Sequence, residues 1–369
     1  MSMKTAKQYI DSIRDMNHEI YLFGQRVKSP VDHPIIMPTV NCVAATYELA
    51  HKPNYESLLT ATSHLTGKKI NRFCHIHQSL DDLVDKSKMG RALGAYTGSC
   101  FQRCVGMDTL NALSVVTYDT DQKHGTLYNK RFLDYLKYVQ EEDLVCCGAM
   151  TDAKADRSLR PAEQPDPDQY LHAMEEKDDG IVVRGAKLHQ TGAVNSHEII
   201  VMPTRAMREE DQDYAISFAL PADTKGIIYI YGRQSSDTRK TEGGTIDTGN
   251  ILYGGQECMV VFEDVFVPWD RVFIYKEWDY RRQHYRKNWC AVREKNVEPV
   301  YDSFVDTTLH KYQGLIKHLR KTFEALRDED RMLKRQVQGD GIDIDAWVEA
   351  MADAKDSSEM TNRLFTRMH

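Results

Sequence analysis

The stretch DGIVVRGAKLHQTGAVNSHE, residues 179–198, shows how the central part of the chain folds. A turn signal at 178–180 leads directly into the β-branched run 180–183, which is typical of a strand. Several more short apolar runs, bounded by Gly, Pro and Asp, predict further strands; they are 198–202, 214–220, 227–231 and 259–262. Because no long helical pattern separates these runs, we expect an antiparallel β domain, a small barrel or sandwich, over residues 148–275.

The preceding 147 residues predict an α-helical domain. Thr5 and Gln8 fit a capping box, and Ser79 with Asp82 fits the start of a second helix that runs towards Tyr96. Apolar residues at helical spacing predict the other helices, at 41–51, 107–118 and 131–140. The fold class predicted for residues 1–275 is therefore α+β, with helices first and strands second.

The last part of the chain, residues 276–369, has a different character. A basic stretch, YRRQHYRKNWCAVREK at 280–295, precedes a segment at 309–326 whose apolar residues step by three and four. That spacing predicts a long helix with one apolar seam. We therefore expect a basic linker and a helical tail.

Composition limits the function classes. The chain has 369 residues and a net charge of −7, which argues against a nucleic-acid binder that relies on bulk positive charge. The N-terminus shows no secretory signal, and no apolar run is long enough to span a membrane. We expect a cytoplasmic protein in which most of the eight cysteines are buried thiols.

One cysteine pair has a spacing suited to a metal. Cys100 and Cys104, in SCFQRC, are four residues apart, so on a helix they would share one face and could both reach a metal or an iron–sulfur cluster. Two packed thiols are the commoner explanation of such a pair. A cluster needs two more ligands, for which His284 and Cys290 are candidates in a basic stretch that favours thiolate. A charged linker with an incidental His and Cys is the stronger explanation of these two residues.

Three further motifs could bind a cofactor or act on a substrate. In GAMTDAKADRS, residues 148–158, backbone N–H groups, Thr151 and Arg157 could meet a diphosphate or a flavin edge, although the spacing alone favours a polar loop between domains. The pair Thr191–Gly192 lets backbone approach a planar ligand, or it forms an ordinary turn. Glu257 precedes an apolar strand, where it could be a desolvated base or a solvated strand start.

In this order the motifs resemble the 4-hydroxybutyryl-CoA dehydratases, within the wider 4-hydroxyphenylacetate 3-monooxygenase family. The resemblance covers residues 1–275. Besides the motifs already quoted, it rests on VDHP (31–34), NCVAATYELA (41–50), INRFCHIHQSLDDL (70–83), SCFQRCVGMD (99–108), YGRQSSDTRK (231–240) and GGQE (254–257).

The resemblance implies a fold and two cofactors. The fold is like that of acyl-CoA dehydrogenases, with FAD between a β middle domain and a helical C-terminal domain. A [4Fe-4S] cluster is held by three Cys and one His, of which Cys100 and Cys104 match two, with His284 and Cys290 near the remaining places. The implied FAD contacts are Met150, Thr151, Asp156, Arg157, His189, Gln190, Thr191 and Gly192.

The resemblance also implies a reaction on an acyl-CoA substrate. Dehydratases of this kind convert 4-hydroxybutyryl-CoA to crotonyl-CoA through a radical, and they isomerise vinylacetyl-CoA. After loss of the α-proton, one-electron oxidation by the flavin gives a radical whose β-proton is much more acidic than that of the substrate. His284 is the implied base, Glu257 an active-site carboxylate, and the family assembly a homotetramer.

Two other hypotheses compete with the dehydratase. The first is a flavin-dependent aromatic hydroxylase without iron, which is disfavoured because family hydroxylases carry Arg and Tyr where this chain has Cys100 and Cys104. The second starts from the tail, which resembles nitric-oxide reductase activation proteins ahead of their von Willebrand A domain. The chain would then be a chimera of impaired activity, or a non-catalytic remnant whose helix at 309–326 binds a partner.

Overall fold

The structure, a computed structural model, describes residues 3–153, 155–205, 207–232 and 252–279. The predictions for His284, Cys290 and the helix at 309–326 lie outside these residues. Within the described ranges, no helix has both the length and the apolar character needed to cross a membrane.

Six α-helices lie in the N-terminal part. Thr5 with Gln8, and Ser79 with Asp82, form the two predicted capping boxes. The second of these helices ends at Gly98, which has the left-handed conformation with φ 61°. The helices are α1 Ala6–Arg14, α2 Met37–Ala50, α3 Pro53–Leu59, α4 Leu80–Thr97, α5 Cys104–His124 and α6 Tyr128–Glu141.

The strands confirm a mixed helix and sheet fold, and four of them lie in the part predicted to be helical. The described part of the chain contains β1 Glu19–Leu22, β2 Gln25–Val27, β3 Thr60–Thr62, β4 Lys69–Asn71, β5 Cys146–Ala149, β6 His172–Lys177, β7 Gly180–Thr191, β8 Glu198–Val201, β9 Ile216–Pro221, β10 Ile227–Tyr231, β11 Glu257–Pro268 and β12 Val272–Tyr275.

The strands form a six-stranded sheet, a four-stranded sheet and a small hairpin. The orders are β2-β1-β10-β11-β7-β6, β12-β9-β8-β5 and β3-β4. The prediction of a wholly antiparallel sheet is wrong at two places, because β1 runs parallel to β10 and β5 runs parallel to β8. The parallel pair of β1 and β10 arises because β1, from the N-terminal segment, lies beside a strand about 200 residues later, with Glu19 opposite Ile228.

The core between the sheets positions the functional loops. Phe218 of β9 and Phe262 of β11 pack edge to face, with ring centroids 6.0 Å apart. Helix α5 lies so close to β5 that a Cβ at Gly106 would stand 1.9 Å from the carbonyl oxygen of Cys146. This contact holds the N-terminus of α5 beside the strand that leads into residues 150–158.

Candidate functional site

The cysteine pair lies at a loop–helix junction. Cys100 is in the loop after α4, and Cys104 is the first residue of α5, so the prediction of a shared helical face is wrong. The helix stops early because Gly98 takes a left-handed conformation, and Gln102, with φ 61°, turns the loop again. The two thiols nevertheless lie close enough for each to shift the pKa of the other.

The environment of Cys100 favours its thiolate. A hydrogen bond from the Cys104 thiol, helped by the N–H groups of Gln102, lowers the pKa of Cys100 to about 6, although burial opposes this. The same thiol–thiol bond raises the pKa of Cys104. Cys100 is exposed, so its sulfur can meet an incoming ligand. The pair presents two neighbouring sulfur atoms, and no group of three or more His, Cys, Asp or Glu within the described ranges could hold a metal ion.

Gln190 binds the loop after β5. Its Oε1 accepts from the Met150 N–H at 3.1 Å, and its Nε2 donates to the Thr151 carbonyl at 2.9 Å. The side chain is buried, with both ends of the amide engaged by backbone. In this structure Gln190 therefore fixes the loop that Met150 and Thr151 belong to.

Lys187 is a site residue that the sequence reasoning missed. Its ammonium group lies 2.5 Å from Asp152 Oδ1 and donates to the carbonyls of Met150 and Met202 at 3.2 and 2.9 Å. A lysine at an inward position of a strand, two residues after buried Gly185, is the sequence signal that could have revealed it. Lys187 and Gln190 together make residues 150–152 a rigid surface.

Gly192 allows the end of β7 to pack closely against the loop that contains Cys100. It has φ 73°, and a Cβ there would lie 2.4 Å from the carbonyl oxygen of Gln102, so only glycine fits without a shift. The loop of Cys100 therefore packs directly against the end of β7. The loop with the predicted cysteine ligands and the predicted flavin motif at 189–192 are therefore in contact.

Glu257 and two predicted flavin contacts line the same edge. Thr191 Oγ1 donates to Glu257 Oε1 at 3.3 Å, and His189 Nδ1 lies 3.6 Å from Glu257 Oε2. The carboxylate also lies near enough to Cys100 to disfavour the charge on that sulfur. The Glu257 side chain is 53% exposed, so the described residues do not desolvate it.

Asp156 and Arg157 lie in an exposed turn. Asp156 Oδ1 accepts from the backbone N–H of Ser158 at 2.9 Å and from its hydroxyl at 2.6 Å, which lowers the pKa of Asp156. Asp156 therefore hydrogen-bonds within its own turn. Met150 and Thr151, in contrast, hydrogen-bond to Gln190.

Comparisons with known proteins identify the family of this chain. Residues 5–274 match the family model described as 4-hydroxyphenylacetate 3-hydroxylase N terminal. The chain is 58% identical over 279 residues to the 4-hydroxybutyryl-CoA dehydratase/vinylacetyl-CoA-Δ-isomerase of Clostridium aminobutyricum, covering 75% of this chain and 57% of that protein. It is 28% identical over 279 residues to the oxygenase component of 4-hydroxyphenylacetate 3-monooxygenase of Thermus thermophilus, covering 73% of this chain and 54% of that protein.

A solved structure gives the same result. An oxygen-tolerant archaeal 4-hydroxybutyryl-CoA dehydratase from N. maritimus superposes with a TM-score of 0.74 at 43% identity, covering 97% of this chain and 69% of that one. The chain spans little more than half the length of the two curated relatives. The resemblance predicted for residues 1–275 is confirmed, and the chain belongs to the 4-hydroxyphenylacetate 3-hydroxylase family through that family's N-terminal region.

Proposed function

We propose that the chain provides the N-terminal part of a flavin and iron–sulfur lyase of the 4-hydroxybutyryl-CoA dehydratase/vinylacetyl-CoA isomerase type. The observation that carries this proposal is the contact between the Cys100 and Cys104 thiols at the edge formed by Gly192 and Glu257. The 58% identity to the clostridial dehydratase supports the same assignment. The proposed substrate is an acyl-CoA, and the proposed assembly is a homotetramer.

The described residues fit both cofactors in part. For FAD, they offer a loop at 150–152 whose backbone is fixed by buried Lys187 and Gln190, next to the Thr191 hydroxyl. For a [4Fe-4S] cluster, they offer two neighbouring sulfur ligands, one of them exposed. We propose His284 and Cys290, outside the described residues, as the other two ligands. If bound there, FAD would supply one-electron redox chemistry, and the cluster would supply an iron that can act as a Lewis acid.

The remaining chemistry belongs to the side chains of this chain. Glu257 presents a carboxylate that Thr191 and His189 orient, so it can accept a proton from a substrate that lies across this edge. We propose His284 as the second base. The family match ends at residue 274, and we expect little or no turnover from this chain.

Metal and flavin content test the proposal. The full chain is reconstituted anaerobically with iron, sulfide and FAD, and compared with Cys100→Ser and Cys104→Ser. Cys74→Ala is the matched control, because burial raises the pKa of that thiol to about 12 and it cannot serve as a thiolate ligand. We expect iron in the wild type and in Cys74→Ala, and its loss in both serine variants.

Two other results would overturn the proposal. Iron that stays bound when Cys100 and Cys104 are both replaced would mean that the cluster lies elsewhere. FAD without any iron in the wild type would favour the aromatic hydroxylase, which the likeness to the Thermus oxygenase component keeps as the alternative.

A further inference from the structure

We propose that His189 is the catalytic base that removes a proton from the carbon beside the thioester carbonyl of the substrate, and that Glu257 orients its imidazole. The substrate class rests on the proposed function. The orientation of the imidazole does not, because it follows from contacts within this chain.

His189 lies in a β-bulge between β7 and β11. The register of the two strands shifts between Cys258 and Val260. Two residues of β7, Leu188 and His189, therefore lie opposite Met259 alone. Bulges of this kind are common beside active sites, where they redirect a side chain.

The backbone of His189 has a conformation that favours glycine. Its φ is 57°, in the left-handed region, which is unfavourable for a residue that carries a Cβ. The chain uses glycine at the neighbouring positions of positive φ, Gly185 and Gly192. An imidazole at a position that the backbone favours for glycine points to a function of the side chain.

The imidazole of His189 faces the carboxylate of Glu257. Its Nδ1 lies 3.6 Å from Glu257 Oε2, and Thr191 Oγ1 donates to the other carboxylate oxygen at 3.3 Å. Glu257 and Thr191 lie directly opposite each other on β11 and β7, so the strand pairing fixes the backbone on both sides of the carboxylate. The three side chains form one polar group at the end of the two strands.

The carboxylate selects one tautomer of His189. An ionised carboxylate only accepts hydrogen bonds, so the imidazole nitrogen that faces it must carry the proton. The Nε2 atom then keeps its lone pair. Among the residues that the structure describes, none hydrogen-bonds to this Nε2, and the His189 side chain is 56% exposed, so a substrate can reach it.

His189 is therefore the base, and Glu257 is the anion that orients it. Both oxygens of the Glu257 carboxylate face partners within the group, whereas His189 presents a nitrogen without one. In the proposed step the C–H bond beside the thioester carbonyl breaks, an N–H bond forms at Nε2, and the electron pair moves onto the carbonyl oxygen. The substrate proton goes to His189 and not directly to Glu257, whose negative charge stabilises the imidazolium.

The tautomer of His189 is measured first, in the full chain without cofactors. Protein that carries 15N-labelled histidine is studied by NMR at a pH where histidine is neutral, and the His189 signals are assigned by their absence in His189→Gly. We expect a protonated Nδ1 and an unprotonated Nε2 in the wild type. Glu257→Ala should favour the opposite tautomer, because the acceptor that holds the Nδ1 proton is removed.

Proton removal is measured second, in the full chain reconstituted with iron, sulfide and FAD. The probe is butyryl-CoA, which has no hydroxyl group to eliminate. Mass spectrometry follows the uptake of deuterium from D2O at the carbon beside the thioester carbonyl. We expect His189→Gly to slow this exchange by about a hundredfold or more, and added imidazole to restore part of it by replacing the missing base.

Asp264→Gly is the matched control. Asp264 also has a left-handed φ, 52°, at the second register shift between the same two strands, and its side chain pairs with Arg184. Both glycine variants relieve an unfavourable backbone conformation. Both should therefore unfold in urea at a midpoint no lower than that of the wild type, while only His189→Gly should lose exchange.

Three outcomes overturn the inference. They are an exchange rate in His189→Gly equal to that of the wild type, a wild-type His189 that is protonated at Nε2, and a loss of exchange that imidazole does not restore in a variant with a lowered unfolding midpoint. Absence of exchange in the wild type would instead contradict the proposed acyl-CoA substrate. The NMR result would still decide whether Glu257 orients the imidazole.

Discussion

The ammonium group of Lys187 lies 2.5 Å from the Oδ1 atom of Asp152, and the two side chains are only 2% and 9% exposed. The pair joins β7 to the loop that follows β5. Two carbonyl groups, of Met150 and Met202, take up the other protons of the ammonium group. A charge buried in this way is stable only while its partners are present.

Replacing Lys187 with Met should lower the free energy of unfolding by about 3–5 kcal/mol, because the Asp152 carboxylate would stay buried without a counter-ion. Urea unfolding followed by circular dichroism measures the loss. Lys130→Met is the matched control: its pair with Asp134 is 75% and 70% exposed, and its loss should cost less than about 1 kcal/mol. Equal losses of unfolding free energy in the two variants would show that the buried pair stabilises the fold no more than an exposed pair does.

Replacing Gln190 with Leu should loosen residues 150 and 151. The Met150 N–H and the Thr151 carbonyl would lose their partner, at a cost of about 1–3 kcal/mol in unfolding free energy. If FAD binds this loop, its affinity should fall as well, which a fluorescence titration detects. His189→Asn is the neighbouring control, since His189 is 56% exposed and Asn tolerates its φ of 57°. If FAD affinity fell only in His189→Asn, then His189 and not Gln190 would be the residue that supports FAD binding.

Replacing Gly192 with Ala should be more damaging than replacing Gly125 with Ala. Both glycines are left-handed, with φ 73° and 70°, but a Cβ at Gly192 meets the Gln102 carbonyl at 2.4 Å and one at Gly125 meets nothing within 4 Å. The Gly125 variant should lose about 1–2 kcal/mol from backbone strain alone. A larger loss at Gly192, together with altered Cys100 reactivity, would measure the close approach of the two loops. Equal losses would contradict that approach.

Glu198 should give the stability of the fold a characteristic pH dependence. Burial raises the pKa of Glu198 to about 7, although the Arg271 guanidinium at 2.8 Å opposes this. The folded chain then holds a proton that the unfolded carboxyl releases above about pH 4.5. The stability from this group is complete below that pH and is lost as the pH rises through about 7, a change of about 3 kcal/mol.

Glu198→Gln removes this titration and keeps an oxygen for Arg271. Unfolding free energies of the wild type and the variant should therefore diverge between about pH 4.5 and 7. Parallel curves across that window would show that Glu198 is ionised throughout in the folded chain.

Local signals made part of this fold predictable. The capping boxes at Thr5 and Ser79 were found because a cap needs only residues three positions apart. The strands of the central region were found for the same reason, since each is a short apolar run. The pairing of β1 with β10 was missed because neither segment alone specifies a partner so distant in the chain.

In the candidate site, too, local features were predictable and distant contacts were not. The sequence predicted its motifs, whereas the contacts between those motifs are visible only in the structure. Cys100 and Cys104 meet across a loop because Gly98 ends α4, so the contact survives while the predicted helical face does not. Lys187 was missed because the role of a buried polar residue depends on partners elsewhere in the chain.

Because β1 pairs with β10, β1 cannot complete its sheet until β10 has been synthesised. A ribosome must add about 200 residues after Glu19 before β10 exists. Until then, one edge of the hairpin formed by β1 and β2 has no partner strand. An open strand edge can recruit other chains, which makes nascent or truncated forms prone to aggregate. Slower translation before residue 227, or a chaperone on the first thirty residues, would then change the yield of folded protein more than its final stability.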